Sequence, residues 1–287
     1  MNSKARIKRY MQQARRATRP QIAAAVGLSQ VSTNATVAAL EKEGVLLAGA
    51  RIASGGGRPV QEYIFNEKHA VVALITATPE AHCTVLRCEL LDLHGQLIEQ
   101  REARFAQLHA ESLDEWLDTT ARKHQLQRIC LPPGLSNGLL PHLQQRHICP
   151  VREYAAAESL AGSKEDTLTL LFIRGQGPQG AIHRHGITSP CPLLHLLPLP
   201  ANWETLDYAD HTLVEEMLAR FLQLVLCTLS PTHVDLYADF WNDRLISRLN
   251  FNISTKLREV TALPQLHFGS ISPAKLAHLR HQHVVLL

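Results

Sequence analysis

The sequence predicts a mixed α/β protein with a small N-terminal domain, residues 1–68, and a larger domain, residues 69–287, made of lobes of roughly residues 69–165 and 166–287. Three observations support this organisation. A chain of 287 residues is longer than one typical hydrophobic core requires. Helix start and stop signals divide the first 45 residues into three short helices, and a glycine-rich hairpin follows them. Segments typical of strands and helices then alternate to the end of the chain.

The composition is that of a globular protein without a membrane segment. With 45% hydrophobic and 19% charged residues, most of the chain is expected to fold. The six cysteines form no CxxC pair, which favours reduced, buried thiols over a zinc site. No apolar run approaches the ~18 residues that cross a bilayer, and no apolar segment follows the basic N-terminus. We therefore expect a soluble, cytoplasmic protein.

The positive charge is concentrated in the N-terminal domain. Residues 1–68 contain 11 lysines and arginines against 4 acids, a balance of +7, whereas the rest of the chain has a balance of −4. Such a surface favours a polyanionic partner, although a basic tail with no specific role would have the same charge. Seven cations lie in the first nineteen residues without an acid among them: Lys4, Arg6, Lys8, Arg9, Arg15, Arg16 and Arg19.

Three helices are predicted from their caps. The first covers Ser3 to Arg15, and the second begins after Thr18, which forms a capping box with Gln21. Gly27 ends the second helix, Ser29 caps the third, and Gly44 stops it. The apolar face of the third helix is predicted to contain Val31, Ala35, Ala38 and Ala39, with Val37 and Leu40 as further candidates.

The second and third helices, joined by a short turn, are typical of a helix-turn-helix. In that motif the start of the second of the two helices meets base edges in the DNA major groove. Short hydrogen-bonding side chains at that start fit this role, although such residues are more often caps or solvated surface. The candidates are Gln30, Ser32, Thr33, Asn34 and Thr36.

The stretch ASGGGRP connects two predicted strands, residues 45–53 and 60–65. Glycines at 55 to 57 let the backbone approach a sugar-phosphate surface and adopt positive φ. Pro59 restricts Arg58, which becomes a candidate minor-groove contact together with Arg51. A phosphate-binding nucleotide loop would require a helix after the glycines, and a strand follows them instead. The hairpin therefore predicts a winged helix-turn-helix. The full predicted DNA-binding set is Arg19, Ser29, Gln30, Ser32, Thr33, Asn34, Thr36, Arg51, Gly56, Gly57 and Arg58.

Residues 18–46 followed by GGGRPVQEYIFN resemble the DNA-binding half of the ROK family, which contains sugar-responsive bacterial repressors of the NagC, Mlc and XylR type as well as sugar kinases. LDLHGQLIEQREARF, residues 91–105, is similar to the family's strand-turn-strand element, and glycines at 175, 177, 180 and 186 match its spacing. The resemblance implies a two-lobed, actin-like ATPase (ribonuclease-H-like) fold in residues 69–287.

The local patterns of the larger domain agree with that implication. Three antiparallel strands are predicted first, then a helix, a short buried strand and a second copy of the scheme, and a late helix ends the chain. The predicted strands are Val71–Ala77, Thr84–Leu93, Leu97–Phe105, residues 128–132, Thr167–Arg174, Gly180–Arg184 and Val234–Tyr237, and the predicted helices are Glu111–His124, His211–Thr228 and Ser272–Arg280.

The parts needed for phosphoryl transfer are missing from the positions where the resemblance implies them. The stretch ITATPEAH lacks the glycines and aspartate of the family's phosphate loop, and Glu153 or Tyr154 stands where a general-base aspartate is expected. The zinc stretch is reduced to Cys191 and His195, while His183 and His185 are not expected to act as joint ligands, and His278, His281 and His283 are expected on a solvated face. We predict no catalytic residue, no metal ion and no cofactor.

The sequence thus predicts a catalytically inactive transcriptional regulator, a repressor of the ROK type. Its expected partners are double-stranded operator DNA and a second copy of the chain, because two half-sites are the common route to specificity. A small-molecule effector, a sugar or sugar derivative, is a further candidate partner. Two alternatives stay open: a sugar kinase with an accessory DNA-binding domain, and a winged helix that binds another protein.

Overall fold

The computed structural model describes residues 2–53, 59–80, 82–132, 135–147, 149–161, 164–173, 178–197, 211–257 and 264–286. The tip of the predicted hairpin, with Gly56, Gly57 and Arg58, lies outside the described residues. None of the described helices combines the length and apolar character needed to cross a bilayer.

The head, residues 1–68, consists of three helices and a three-stranded antiparallel sheet. Its predicted caps are confirmed: the Thr18 amide donates to Gln21 Oε1 at 2.8 Å, Gly27 adopts a left-handed conformation with φ 61°, and Ser29 accepts from the Ser32 amide. A short first strand, which the sequence analysis missed, pairs with the third in the order β1-β3-β2. The elements are α1 Ser3–Ala14, β1 Arg16–Thr18, α2 Arg19–Val26, α3 Gln30–Lys42, β2 Leu46–Ile52 and β3 Val60–Phe65.

The predicted apolar face of α3 is confirmed for Val37 and Leu40, and it is wrong for Val31, Ala35, Ala38 and Ala39. The buried face contains Thr33, Val37 and Leu40, at i, i+4 and i+7. Val31 is 80% exposed, and the alanines of the predicted apolar face also point outward. The reason is that small alanines satisfy either rotation, so the larger Val37 and Leu40 decide which face packs against the core.

The first lobe of the body, residues 69–287, is built on a five-stranded sheet in the order β6-β5-β4-β7-β8. Strands β4, β5 and β6 pair antiparallel, as predicted, and β7 and β8 add in parallel through helical crossovers. Helix α5 was not predicted, because Gly138 and Pro141 obscure its pattern. The elements are β4 Val71–Glu80, β5 Cys83–Leu91, β6 Leu97–Phe105, α4 Ala110–Ala121, β7 Leu126–Leu131, α5 Ser136–Arg146 and β8 Val151–Glu153.

The second sheet repeats this topology in the order β11-β10-β9-β12-β13, so each lobe has an antiparallel edge and a parallel edge. The prediction that the second lobe repeats the first is therefore confirmed. Strand β9 is buried at all six positions and packs with β12 against α6 and α7. The elements are β9 Thr167–Phe172, β10 Gln179–Arg184, β11 Ile187–Pro190, α6 His211–Thr228, β12 His233–Ala238, α7 Asp243–Lys256, β13 Gln265–Ser270 and α8 Pro273–Leu286.

Helix α8 returns to the first lobe and the head. Val284 and Val285 are buried in a hydrophobic cluster that contains residues of α1, β3 and β4. The φ of Gly95 is +80°, and a Cβ at this position would lie 2.9 Å from the His281 carbonyl oxygen, so the turn there requires glycine. Consequently one core connects the head, the first sheet and the end of the chain.

The expectation that the histidines of α8 are solvated is wrong for two of them. His281 Nε2 lies 3.1 Å from Glu89 Oε2, and only 13% of the His281 side chain is exposed. The His283 ring packs against Tyr154, with ring centroids 5.8 Å apart. His278 is exposed as predicted. The helix extends to Leu286, beyond the predicted end, and its last turns are buried against the first lobe.

Candidate nucleic-acid interface

At the start of α3, some polar side chains form hydrogen bonds within the helix and others are exposed to solvent. The Ser29 hydroxyl accepts a hydrogen bond from the Ser32 amide at 3.2 Å, and the Thr36 hydroxyl donates to the Ser32 carbonyl at 2.8 Å. Ser29, Gln30 and Asn34 are exposed, whereas Ser32 and Thr36 are half-buried. Gln30 and Asn34 are therefore the predicted site residues on α3 that extend amide groups into solvent.

Thr33 does not belong to this surface. Its side chain is buried with 0% exposure, and its Oγ1 has no hydrogen-bond partner among the described residues. Because Thr33 packs on the core side with Val37 and Leu40, it cannot reach a base edge from this conformation. Thr33 was predicted to contact DNA because it is a short polar residue near a helix start, but the rotation of the helix places it inside.

The outer surface of α3 also has an apolar part that was not predicted from the sequence. Val31, Ala35 and Ala38 are exposed and share the side of α3 on which Gln30 and Asn34 lie. This side carries no charged residue before Glu41. The signal that could have found it is the spacing of the larger apolar residues, Val37 and Leu40, which fixes the opposite face as buried.

Two predicted arginines lie at different places in the head. Arg19 occupies the first turn of α2, where its guanidinium lies 5.1 Å from the centroid of the Tyr63 ring. Its Nε is buried and has no hydrogen-bond partner among the described residues. This cation-π contact orients the Arg19 guanidinium. Arg51 is exposed on β2, immediately after an irregularity in the pairing with β3 that follows Ala48.

The cations of α1 are candidate phosphate contacts, and three of them also contact other groups of the protein. Lys4 forms a salt bridge of 2.6 Å with Glu43, and the Arg6 guanidinium donates to the Val26 carbonyl. Lys8 approaches Gln127 of the body at 3.4 Å, and burial lowers the pKa of its ammonium group, with nearby Lys4 acting in the same direction. Helix α1 is therefore a connector between head and body.

The remaining cations of this segment are more accessible. Arg9, Arg15 and Arg16 are exposed, and Arg16 lies 4.0 Å from Glu62, at the limit of an ion pair. An exposed contact of this length contributes little to stability, so the Arg16 guanidinium stays available to a phosphate. These side chains precede α2, whose first turn carries Arg19.

A second site, the interlobe cleft, is a cavity of about 150 Å³ between the two sheets. Tyr154 lies in its wall, and burial raises the pKa of its hydroxyl. The polar lining also includes Thr76, Gln179 and Arg280, and no carboxylate belongs to the described lining. The same Tyr154 belongs to the cluster that joins α8 and the head.

Residues 75–80, where the phosphate loop is missing, belong to strand β4. Pairing between β4 and β5 runs as far as Pro79 with Thr84 and Glu80 with Cys83. Glu158, in a short 3-10 helix (Ala156–Ser159) after β8, is buried and held by Arg152 at 2.5 Å and by the Ala155 amide at 2.9 Å. Among the described residues, no group of three or more histidine, cysteine or acidic side chains could hold a metal ion.

Comparison with solved structures identifies a protein with a similar architecture. The chain resembles a ROK family transcriptional regulator, described as a homologue of the E. coli Mlc protein, with a TM-score of 0.63 and 12% identity over 99% of this chain and 95% of the other. The fold is that of the ROK proteins. It is a mixed α/β fold of the actin-like ATPase type, as the sequence resemblance implied.

Other ROK structures align with a smaller part of the chain. A ROK family protein from Streptococcus pneumoniae in complex with sucrose gives a TM-score of 0.45 at 11% identity, covering 74% of this chain and 97% of that one. The ROK hexokinase from Thermus thermophilus gives 0.46 at 13% identity, covering 74% and 98%. A scan against models of protein families found no match, and a search of curated proteins found none either.

Proposed function

We propose that this protein is a DNA-binding transcriptional repressor of the ROK type whose kinase-like body has no catalytic activity. The observation that carries the proposal is the outer face of α3, where the exposed amides of Gln30 and Asn34 occupy the start of the second helix of a helix-turn-helix. In this motif those positions meet base edges in the major groove. Side chains with an amide suit that place, because they can donate to and accept from adenine.

The phosphate contacts are assigned to cations around this helix. Arg19 is oriented by Tyr63, and Arg16 precedes it with little internal pairing. The hairpin β2–β3 is the wing of the proposed winged helix-turn-helix, and Arg51 extends from its first strand. Gly56, Gly57 and Arg58, at the tip, keep the minor-groove role that the sequence predicts for them. Arginine in a narrow minor groove is favoured by the strong negative potential there.

Two observations support the absence of kinase activity. Pairing between β4 and β5 extends as far as Glu80 in the segment where a phosphate-binding loop would be needed, and the cavity between the lobes has no carboxylate in its described lining. A sugar hydroxyl that attacks a phosphoryl group requires an acid to accept its proton. Of the two residues nearest the expected base, Glu153 does not belong to the described lining of the cavity, and Tyr154 is a poor proton acceptor because burial disfavours its charged form.

The proposed assembly is a homodimer bound to two half-sites. A single winged helix buries only ~600 to 1,000 Å² on DNA, so a second copy provides the specificity that one head lacks. The interlobe cleft is the proposed place for a small-molecule effector, a sugar or sugar derivative. Its wall and the head share one hydrophobic cluster, so a ligand that changes this wall can change the position of the head.

Selection of bound duplexes from a random DNA pool tests the proposal with the full-length protein. The expected result is enrichment of two related half-sites whose centres are separated by about 10 base pairs or a multiple of that distance. A pool that shows no enrichment after repeated rounds at low salt would reject DNA binding. A coupled assay of ATP consumption over a panel of hexoses and amino sugars tests the inactivity, and turnover with any sugar would reject it.

A further inference from the structure

Val31 is an exposed aliphatic residue at the start of α3, and an aliphatic side chain contributes nothing to binding phosphates. It is the second residue of α3 and has 80% of its surface exposed. Thr33, Val37 and Leu40 fix the buried face, so Val31, two positions from Thr33 and about 200° around the helix, cannot turn toward the core. An aliphatic side chain at this place therefore faces whatever the helix binds.

The neighbours of Val31 limit what that partner surface is. Gln30 precedes it and Asn34 follows one turn later, and both amides are exposed. Ala35 and Ala38 continue the apolar side along the helix without a charge. The outer surface of α3 is thus an apolar strip that begins at Val31 and is bordered on one side by the amides of Gln30 and Asn34, inside a domain of strongly positive charge.

The DNA major groove offers one apolar group at the edges of the standard bases, the C5 methyl of thymine. Adenine, its pairing partner, presents an N7 acceptor and an N6 donor that match the amide of asparagine or glutamine. An apolar side chain beside two amides therefore complements an A·T pair seen from the major groove: the apolar group matches the thymine methyl, and an amide matches adenine. A protein surface as partner would fit the apolar strip, and the positive charge of the head favours DNA over it.

We infer that Val31 reads a thymine methyl group in the major groove, and that the preferred half-site has a thymine at the position facing Val31 with an adenine within reach of Gln30 or Asn34. The inference rests on the proposed function and adds a specificity-determining residue to it. Val31 fixes one base by contact with a methyl group, without any hydrogen bond, and Ala35 extends the same apolar surface.

Deoxyuridine provides the test, because it differs from thymidine only by the missing methyl group. Each thymine of a selected duplex is replaced in turn, in both half-sites, and the Kd is measured at one fixed salt concentration for the wild-type chain and for Val31→Ala. At one position the replacement is expected to weaken wild-type binding about four-fold, the ratio that corresponds to about 0.8 kcal/mol for one buried methyl-sized group. For Val31→Ala the same replacement is expected to change the Kd less than two-fold.

Ile187→Ala is the control, because Ile187 is 68% exposed on β11 of the second lobe, outside the head. It is expected to keep the wild-type response to deoxyuridine. Wild-type binding that is indifferent to deoxyuridine at every position, or a loss of equal size in Val31→Ala, would overturn the inference and leave DNA binding intact. A chain that binds no duplex would overturn the proposed function and the inference together.

Discussion

The side-chain amide of Gln12, in the first helix, donates a hydrogen bond of 3.0 Å to the carbonyl of Val285, in the last helix. The same nitrogen lies 2.9 Å from the carbonyl of Leu93. One side chain of the head thus connects two separate segments of the body. The contact links the head to helix α8, which also carries Arg280 of the interlobe cleft.

Replacing Gln12 with alanine is expected to destabilise the connection of head and body. Two carbonyls would lose their donor, and the free energy of unfolding is expected to fall by about 1 to 2 kcal/mol. Urea unfolding measured by circular dichroism gives this value. Gln13→Ala is the matched control, because Gln13 is exposed and is expected to change stability by less than about 0.5 kcal/mol. Equal stability of the two variants would contradict the structural role of Gln12.

Replacement of Thr33, whose hydroxyl is buried, is expected to increase stability. Thr33→Val removes a hydroxyl that is desolvated without a partner and retains the shape of the side chain. The variant is expected to be more stable by about 1 kcal/mol, since an unmade hydrogen bond costs about 1 to 3 kcal/mol. Its affinity for operator DNA is expected to equal that of the wild type. A large loss of DNA affinity would instead place Thr33 at the DNA surface.

Asn34→Ala is expected to act on binding and leave folding unchanged. The side chain is exposed at the start of α3, and loss of a contact from this amide to a base should weaken binding by about 1 to 3 kcal/mol. Fluorescence anisotropy with a selected duplex at fixed salt measures the change. Asn250→Ala, on an exposed position of α7 in the body, is the control and should bind as the wild type does. Unaltered affinity in Asn34→Ala would remove this residue from the interface.

His283 is expected to make stability depend on pH. Burial lowers the pKa of His283 to about 4, and the Arg152 cation acts in the same direction. The unfolded chain takes up a proton on His283 near the ordinary pKa of 6.5, whereas the folded chain does so only near pH 4. The contribution of neutral His283 to the free energy of unfolding is therefore complete above about pH 6.5. It is lost progressively as the pH falls from about 6.5 to about 4.

His283→Phe should reduce this pH dependence, because the ring that packs on Tyr154 is kept while the titrating group is removed. Urea midpoints measured between pH 7 and pH 4.5 give the slopes. His278→Phe, on an exposed position of the same helix, is expected to retain the wild-type slope. Identical slopes in the wild type and His283→Phe would exclude His283 as the source.

The sequence predicted those features that depend on neighbouring residues. Thr18, Gln21, Gly27 and Ser29 define helix ends through contacts within one turn, and all four are found in those roles. The antiparallel strands of the first lobe were also predicted, because their alternation and turn signals are local. The turn at Asp92 is an example, with Asp92 Oδ1 accepting from the His94 amide at 2.8 Å.

Features that depend on distant partners were not predicted. Strand β1, three residues long, exists because Arg16 to Thr18 pair with the hairpin strand β3. The rotation of α3 could not be chosen from a run of alanines, which cost little whether buried or exposed. The internal contacts of the α1 cations were not predicted either. Lys4 contacts Glu43 and Lys8 contacts Gln127, and both partners come from distant segments of the chain.

DNA binding by the head is best measured by titration of a selected duplex with the full-length protein at several salt concentrations. Tight binding is expected at about 50 mM salt, and the logarithm of affinity is expected to fall linearly with the logarithm of salt concentration, because bound cationic side chains displace counterions from phosphates. Absence of binding to any duplex at that salt concentration, with the protein folded by circular dichroism, would contradict DNA binding by the head.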